Sequence, residues 1–218
     1  MSAVPETALR KRIGYHAILL GGFATLAAAL LMMGNLATRD SILQRQQEDL
    51  LASLNQVIPA SLYDEGLLDH NLAFTDGQGT AHTIYRAVRN GQVTAVAYQV
   101  IGNGYAGDIA LLMGVDGSGR LLGVRVLAHA ETPGLGDKIE PEKSHWIDAF
   151  VGRSLGDPSE DRWGVRKDGG AFDQFTGATI TPRGVVAAIK DGLLFFREHK
   201  GELLARLPSI TISDPKGD

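Results

Sequence analysis

The chain has 218 residues, a net charge of −4 and 44% apolar residues, which suits one domain of ordinary size with an appendage. It has no cysteine, which excludes disulfides, thiolate metal sites and cysteine-ligated iron–sulfur clusters. The charge is uneven, because residues 1–12 carry a net +2 and the remainder −6. A mildly acidic body lacks the basic face that nucleic-acid binding requires, so we expect no nucleic-acid partner.

A long uncharged segment follows the N-terminus. From Ile13 to Leu36, 24 residues include no Asp, Glu, Lys or Arg. As a helix they would span roughly 36 Å, more than the roughly 30 Å of a bilayer's hydrocarbon core. A cleavable signal peptide has a shorter apolar region, of roughly 7–15 residues, and Asn35-Leu36-Ala37 is a poor cleavage site. The sequence therefore predicts a transmembrane helix at 13–36 after a cytoplasmic segment 1–12.

The flanking charges predict how this helix is oriented. Arg10, Lys11 and Arg12 precede the segment, whereas Arg39 with Asp40 follows it. Basic residues stay on the cytoplasmic side. We therefore expect a single-pass inner-membrane protein with a cytoplasmic N-terminus and its main domain in the periplasm.

A second helical pattern follows the apolar segment. Thr38 is predicted to cap a helix that runs to about Val57 and stops at Pro59. We interpret residues 37–80 as a helical connector between the membrane and the globular part.

The globular part shows strand patterns first and helical patterns later. Asn90-Gly91 and Asp116–Gly119 read as hairpin turns, and the strands they separate are predicted at about 81–89, 92–100, 108–115 and 120–128. Pro141 is predicted to open a short helix through Phe150, and Thr181-Pro182 a final helix at about 182–200. This order predicts an α+β domain at 81–205, with an antiparallel sheet and packed helices, and a C-terminal tail at 206–218.

One glycine pattern inside the sheet region is misleading. Gly102–Gly107 matches G-x-G-x-x-G, but a dinucleotide fingerprint must open a helix directly after its strand. Residues 108–115 read as another strand, so a glycine-rich connection between strands is favoured.

The segment Asp173–Thr179 carries a hydroxyl just before the predicted helix start. Unpaired N–H groups and the helix dipole would stabilise a phosphate there, and Arg183 could pair with it. Local physics alone leaves open a small-residue turn without a ligand.

The residues Asp173, Thr176, Gly177, Ala178 and Thr179 resemble the flavinylation motif of the FMN-binding domain family. That family includes the G subunit of Rnf ion-translocating electron-transport complexes and the C subunit of the sodium-pumping NADH:quinone reductase. The resemblance implies FMN joined through its phosphate to the Thr179 hydroxyl, with the other four residues completing the motif. It also implies maturation by a separate flavin transferase that uses FAD as the donor.

Two further blocks resemble the same family. Glu131–Gly136 is similar to its E-T-P-G-L-G block, and Gly104–Ile109 to its glycine-tyrosine strand entry. The resemblance implies that the first block faces the isoalloxazine ring, with Glu131 and Thr132 as polar contacts. We expect the remaining cofactor contacts from Gly134, Leu135, Tyr105 and Arg183.

Other chemistry-bearing side chains favour structural roles. Trp146 and Trp163 are expected in the core. His129 lies close to Glu131, but no third ligand stands at a suitable spacing, so we expect no metal site.

The resemblance implies a function, and the short chain with a single span favours the Rnf G subunit. The protein would be an electron relay in the membrane, a redox subunit without catalytic acid–base residues. Its expected partners are integral-membrane and flavin or iron–sulfur subunits. The alternatives are a membrane-anchored FMN-binding sensor or regulator, the sodium-pump C subunit, and a scaffolding module in which Thr179 is only structural.

Overall fold

The computed structural model describes residues 6–75, 77 and 79–205. The chain divides into two compact units between Asp49 and Leu50. The described part contains two long helices and five strands: α1 (Glu6–Val57), β1 (Asn71–Thr75), β2 (Ala81–Arg89), β3 (Gln92–Asn103), β4 (Asp108–Asp116), β5 (Leu121–Ala128) and α2 (Ile180–Leu203).

The first helix contains the apolar segment. Gly14–Arg39 is long and apolar enough to cross a membrane, with a mean hydropathy of 2.1 and no part of that window buried inside the protein. The helix break expected at Thr38 is wrong, because α1 continues through it to Val57. The Thr38 hydroxyl donates instead to the Gly34 carbonyl at 2.8 Å. A threonine can bond back to the preceding turn in this way within a helix, so it does not act as a cap.

The five strands form one antiparallel sheet in the order β1-β2-β3-β4-β5. The four predicted strands are all present, and the α+β class is confirmed. Asn90 and Gly91 both have positive φ, 51° and 69°, as a two-residue type I′ hairpin turn requires. The stretch 37–80 is not wholly helical, because it also contains β1. This edge strand has five residues, of which only Phe74 is buried, and it was not among the predicted strands.

Successive side chains on a strand point to opposite faces of the sheet and contribute to two hydrophobic cores. One core lies between the sheet and α2, and the strands contribute to it Val96, Tyr98, Leu111 and Met113, among others. The opposite face packs on the end of α1, where Leu54 and Val57 meet Ala95, Ala97 and Leu112. This division follows from the two-residue side-chain period of a strand.

A pair of glycines lets α1 approach the sheet closely. Gly114 and Gly123 face each other across β4 and β5. A Cβ on Gly114 would lie 2.9 Å from the Val57 carbonyl carbon, and one on Gly123 would lie 2.8 Å from the Val57 Cα. The two glycines therefore form a notch that receives the last turn of α1.

The segment before α2 differs from the expectation in two places. No regular helix runs from Pro141 to Phe150. This range contains instead one 3₁₀ helix, His145–Phe150, which Ser144 caps by accepting from the Trp146 N–H at 3.1 Å. Another 3₁₀ turn, Asp137–Ile139, comes just before the range. The final helix begins at Ile180 with Thr179 as its N-cap, so the assignment of Thr181 as the cap is wrong. Pro182 lies in the first turn, where its missing N–H breaks no helical hydrogen bond.

Candidate functional site

The site lies at the end of the sheet where β3 ends and α2 begins. The glycine pattern Gly102–Gly107 covers the last two residues of β3 and the loop 104–107 that connects β3 to β4, and a strand follows it, as expected. Gly184 in the first turns of α2 contacts the β3 backbone, and a Cβ on it would lie 2.8 Å from the Asn103 carbonyl carbon. This close approach puts the first turns of α2 against the end of β3.

The motif before α2 forms a tight turn. The Ala178 N–H donates to the Phe175 carbonyl at 3.2 Å, and Gly177, the third residue of the turn, has φ 84°. A type II turn requires positive φ at that position, which glycine adopts without steric cost. The sequence Thr-Gly-Ala-Thr therefore presents Thr176 on the exposed turn and Thr179 at the helix start.

Thr179 is half-buried, and its side chain makes no capping hydrogen bond. Threonine at an N-cap normally accepts a backbone N–H of the first turn. Thr181, two residues later, is fully buried and donates its hydroxyl to Glu131. The hydroxyl of Thr179 is thus available for chemistry, whereas that of Thr181 is already used.

Asp173 at the start of the motif is anchored by its backbone. Its carbonyl accepts the Trp146 Nε1–H at 2.7 Å, and its carboxylate pairs with Arg166 at 3.0 Å on the surface. Trp146 packs edge-on against Phe150 and Phe175, with ring centroids 5.2 and 5.1 Å apart. Trp146 therefore packs against the core, as expected. No sequence pattern indicates its hydrogen bond to the Asp173 carbonyl.

The block Glu131–Gly136 forms a second turn that contacts the first. The Leu135 N–H donates to the Thr132 carbonyl at 3.1 Å, and Gly134 has φ 79°, again a type II geometry. Thr132 is exposed, and Leu135 lies 3.8 Å from the position of a Cβ on Gly177. The two turns therefore touch at Leu135.

The β3–β4 loop, the second turn and the start of α2 each leave one large apolar side chain exposed to solvent. Tyr105 is 72% exposed, Leu135 44% and Ile180 46%. Ile180 also lines a shallow cavity of about 280 Å³, together with Ile101, Asn103, Arg183 and Gly184. Apolar surface is therefore exposed in all three segments.

Glu131 lies inside the protein. It is 5% exposed, its Oε1 accepts the Ala106 N–H at 3.0 Å, and its Oε2 accepts the Thr181 hydroxyl. The sequence indicated Glu131 as a contact to the ring. Thr181 could have been proposed as its partner only from the fold, because the two residues lie 50 positions apart.

Arg183 already has a partner in the structure. Its Nε and Nη2 donate to the two oxygens of Asp168, at 2.5 and 2.7 Å, with both side chains 44% exposed. This hydrogen bonding holds the pKa of Asp168 below its ordinary value and raises the pKa of Arg183. Because the loop between the two residues has no regular periodicity, no sequence pattern indicates this pair.

A cluster of charged and polar side chains adjoins the second turn. His129 accepts the Glu131 N–H on Nδ1 at 3.0 Å, and its Nε2 lies 2.8 Å from Glu140. Lys143 contacts Asp137 at 2.8 Å, and its hydrogen bond lowers the pKa of that buried carboxyl. Within the described residues no group of three His, Asp or Glu side chains is placed to hold a metal ion. The cluster therefore braces the turn that contains Glu131.

Comparison with known proteins gives two family matches. Residues 104–194 match the model of an FMN-binding domain, and residues 1–57 match that of an RnfG N-terminal region. The first of these ranges contains both turns, Glu131 and Thr179, whereas Ile101, Gly102 and Asn103 at the end of β3 lie just before it.

Curated relatives match over most of their length. A protein of Cereibacter sphaeroides, named as the G subunit of an ion-translocating oxidoreductase complex, is 52% identical over 88% of this chain and 87% of its own. Relatives of the same name are 46% identical in Stutzerimonas stutzeri, over 85% and 82% of the two chains, and 41% identical in Shewanella piezotolerans, over 94% and 100%. A crystal structure of NqrC from Shewanella oneidensis aligns over 67% of this chain and 73% of its own, with a TM-score of 0.46 and 22% identity.

Proposed function

The chain belongs to the family of G subunits of ion-translocating oxidoreductase complexes, and from this membership we propose that it is the FMN-binding electron-transfer subunit of an Rnf-type complex. The family supplies the FMN-binding domain, and the apolar part of α1 supplies a membrane anchor. FMN when bound accepts and passes on electrons, while the protein provides position and electrostatics.

We infer that the FMN is held covalently, through its phosphate, by the hydroxyl of Thr179. The observation that carries this proposal is the N-cap threonine without a capping hydrogen bond, at the start of a 24-residue helix. The first N–H groups of a helix have no intrahelical partner, and the helix dipole is positive there. A phosphate ester on Thr179 would take the place of the missing cap.

The residues around Thr179 fit the rest of the FMN molecule. Tyr105, Leu135 and Ile180 offer apolar surface to the ring, and Gly177 keeps the approach to Thr179 free of a side chain. Arg183 could reach a phosphate only by sharing its guanidinium with Asp168. Thr132 and Gly134 lie in the turn that contacts the motif, and we retain them as candidate ring contacts.

Attachment of the flavin requires a second protein. A threonine hydroxyl is a weak nucleophile unless a base or an enzyme activates it. We propose that a flavin transferase recognises Asp173, Thr176, Gly177 and Ala178 and transfers FMN from FAD. The Thr179 oxygen then forms the new bond to phosphorus, the pyrophosphate bond of FAD breaks, and AMP leaves while the hydroxyl loses its proton.

The decisive test is covalent flavin in the denatured protein. Co-expression with a flavin transferase should give a fluorescent band under ultraviolet light after denaturing electrophoresis, and Thr179→Val should abolish it. Thr75→Val, the same change at an exposed strand residue away from the motif, should keep the band. Mass spectrometry of the flavin-bearing peptide distinguishes Thr179 from Thr176 and Thr181. A wild-type protein without a band, or a Thr179→Val band of equal strength, would show that the attachment proposal is wrong.

We further propose that the protein lies in the cell inner membrane with its FMN-binding domain in the periplasm. Arg10, Lys11 and Arg12 before the span support this orientation. Its partners would be the integral-membrane and the flavin or iron–sulfur subunits of the complex. A covalent bond would keep the flavin from diffusing away outside the cytoplasm.

A further inference from the structure

Glu131 joins three separate segments of the site. Its Oε1 accepts from Ala106 in the β3–β4 loop, and its Oε2 accepts from Thr181 in the first turn of α2. Its own backbone N–H donates to His129, which fixes the start of the second turn. A single buried carboxyl thus connects the loop, the turn and the helix that begins at Thr179.

Two glycines leave the space that this arrangement occupies. A Cβ on Gly136 would lie 2.6 Å from Oε2 of Glu131 and 2.8 Å from the Thr181 hydroxyl oxygen. A side chain at Gly104 would overlap Oε1 of Glu131. Gly136 has φ −84°, which any residue adopts. Glycine is therefore required here because a side chain would overlap the Glu131–Thr181 contact, and not because of the backbone conformation.

The hydrogen-bonded connection through Glu131 ends close to Thr179, the proposed attachment residue. Thr181 lies two residues after Thr179, and both belong to the N-terminal end of α2. Because Thr181 is fully buried and hydrogen-bonded, a change at Glu131 would be transmitted to the helix start through this one contact. Ala106 follows the exposed Tyr105, so the same carboxyl also holds the loop that presents this ring.

We propose that Glu131 is a positioning residue of the flavin site, which acts through Thr181 and Ala106 and not by touching the ring. This proposal rests on the proposed function. Attachment of FMN then depends on the motif 173–179, whereas the surroundings of the attached ring depend on the Glu131 connection.

A competing role for Glu131 is direct contact with the flavin. A carboxyl oxygen has more than one lone pair and can accept a second donor. The two roles differ in their response to changes that leave Glu131 itself unaltered. A ring contact would tolerate changes at Thr181 and Gly136, whereas a positioning residue would not.

The test uses two disrupting variants with two matched controls in the full-length, flavin-bearing protein. Thr181→Val removes the hydroxyl donor, and Thr181→Ser keeps it. Gly136→Ala drives a methyl group into the Glu131–Thr181 contact, and Gly156→Ala adds the same group where no atom lies within 4 Å. The readouts are covalent flavin per folded protein, visible circular dichroism of the flavin and its midpoint potential.

We expect Thr181→Val and Gly136→Ala to keep the covalent flavin but to lose the visible dichroism and to shift the midpoint potential. Thr181→Ser and Gly156→Ala should match the wild type in all three measurements. Wild-type dichroism and potential in both disrupting variants would overturn the proposal. A fifth variant, Glu131→Gln, is measured in the same way. A change in Glu131→Gln that neither Thr181→Val nor Gly136→Ala reproduces would also overturn the proposal, since that pattern identifies a ring contact.

A measurement without flavin separates this proposal from the attachment chemistry. In flavin-free protein, hydrogen exchange of the Ala106 amide should be slow and should accelerate in Gly136→Ala but not in Gly156→Ala. Free exchange of that amide in the wild type would overturn the Glu131 connection. Failure of the attachment proposal would appear in the fluorescent band, as its absence from the wild type or its persistence in Thr179→Val, and not in this exchange rate.

Discussion

Arg183 stands four residues after Thr179, and its guanidinium forms a bidentate pair with Asp168. A phosphate on Thr179 would compete with that carboxylate for the same donors, because a guanidinium binds both groups in the same bidentate geometry. Asp168 therefore holds the Arg183 side chain when no phosphate is present. Its effect on stability is small, since exposed ion pairs contribute little.

The pair gives a pH-dependent prediction for Asp168→Asn. The folded protein lowers the pKa of Asp168, so its stabilising effect is present above the carboxyl's unfolded pKa and is lost as pH falls through the folded value. The variant should melt slightly below the wild type at neutral pH, and the two should converge in acid. Thermal unfolding across this range tests it, with Glu142→Gln, an exposed carboxylate, as the control. A difference that grew on acidification would contradict the assignment.

The sequence predicted the local turns of the candidate site better than the long-range partners of its residues. The motif turn and the Pro-Gly turn of the second block were predictable, because glycine at a fixed turn position has a local cause. The correct helix start was not, since Thr179 and Thr181 are both plausible caps from sequence. The choice depends on the burial of Thr181 against Glu131, a contact across 50 residues that no local pattern reveals.

At the scale of elements, the helix that presents Thr179 is fixed by a close glycine contact with β3. Gly102 and Gly184 meet backbone to backbone, and a Cβ on Gly102 would lie 2.7 Å from the Gly184 carbonyl oxygen. Further along α2, the buried Tyr98 hydroxyl donates to the Gly192 carbonyl at 2.8 Å. These contacts therefore fix the position of α2 along the sheet.

Gly184→Ala and Gly201→Ala should have opposite effects on stability. At Gly184 a methyl group would overlap the Asn103 carbonyl, and overpacking of this kind costs about 1–3 kcal/mol. At Gly201, in the same helix, no atom of the described residues outside the adjoining backbone lies within 4 Å, and alanine should stabilise by up to about 1 kcal/mol. Denaturant unfolding of both variants measures this. Equal stability of the two variants would show that the contact is not tight.

The elements themselves were largely predictable from the sequence, and the reason is local. Asn-Gly and Asp-Gly turns mark two of the hairpins, apolar runs mark the strands on either side of them, and a helix of 24 residues carries a clear apolar side. Strand β1 was not predicted: it is a five-residue strand with only Phe74 buried, and it pairs along the edge of β2. The continuity of α1 through Thr38 was also missed, because a threonine before a helical pattern resembles a cap.

At the scale of the whole molecule, the proposed orientation depends on three basic residues. Neutral glutamines in place of Arg10, Lys11 and Arg12 would remove the charge difference that fixes the N-terminus in the cytoplasm. Protease added to spheroplasts should digest the FMN-binding domain of the wild type, and a fraction of the triple variant should become protected. A wild-type domain digested only in inverted vesicles would reverse the proposed topology.

The glycine notch that receives Val57 also constrains the order of events during synthesis. The apolar end of α1 leaves the ribosome early, but the notch is complete only when Gly123 of β5 has been made. At about 5–20 residues per second, that interval lasts several seconds. During this time Leu54 and Val57 have no sheet to pack against. The membrane segment can therefore be inserted well before the domain closes around the end of the same helix.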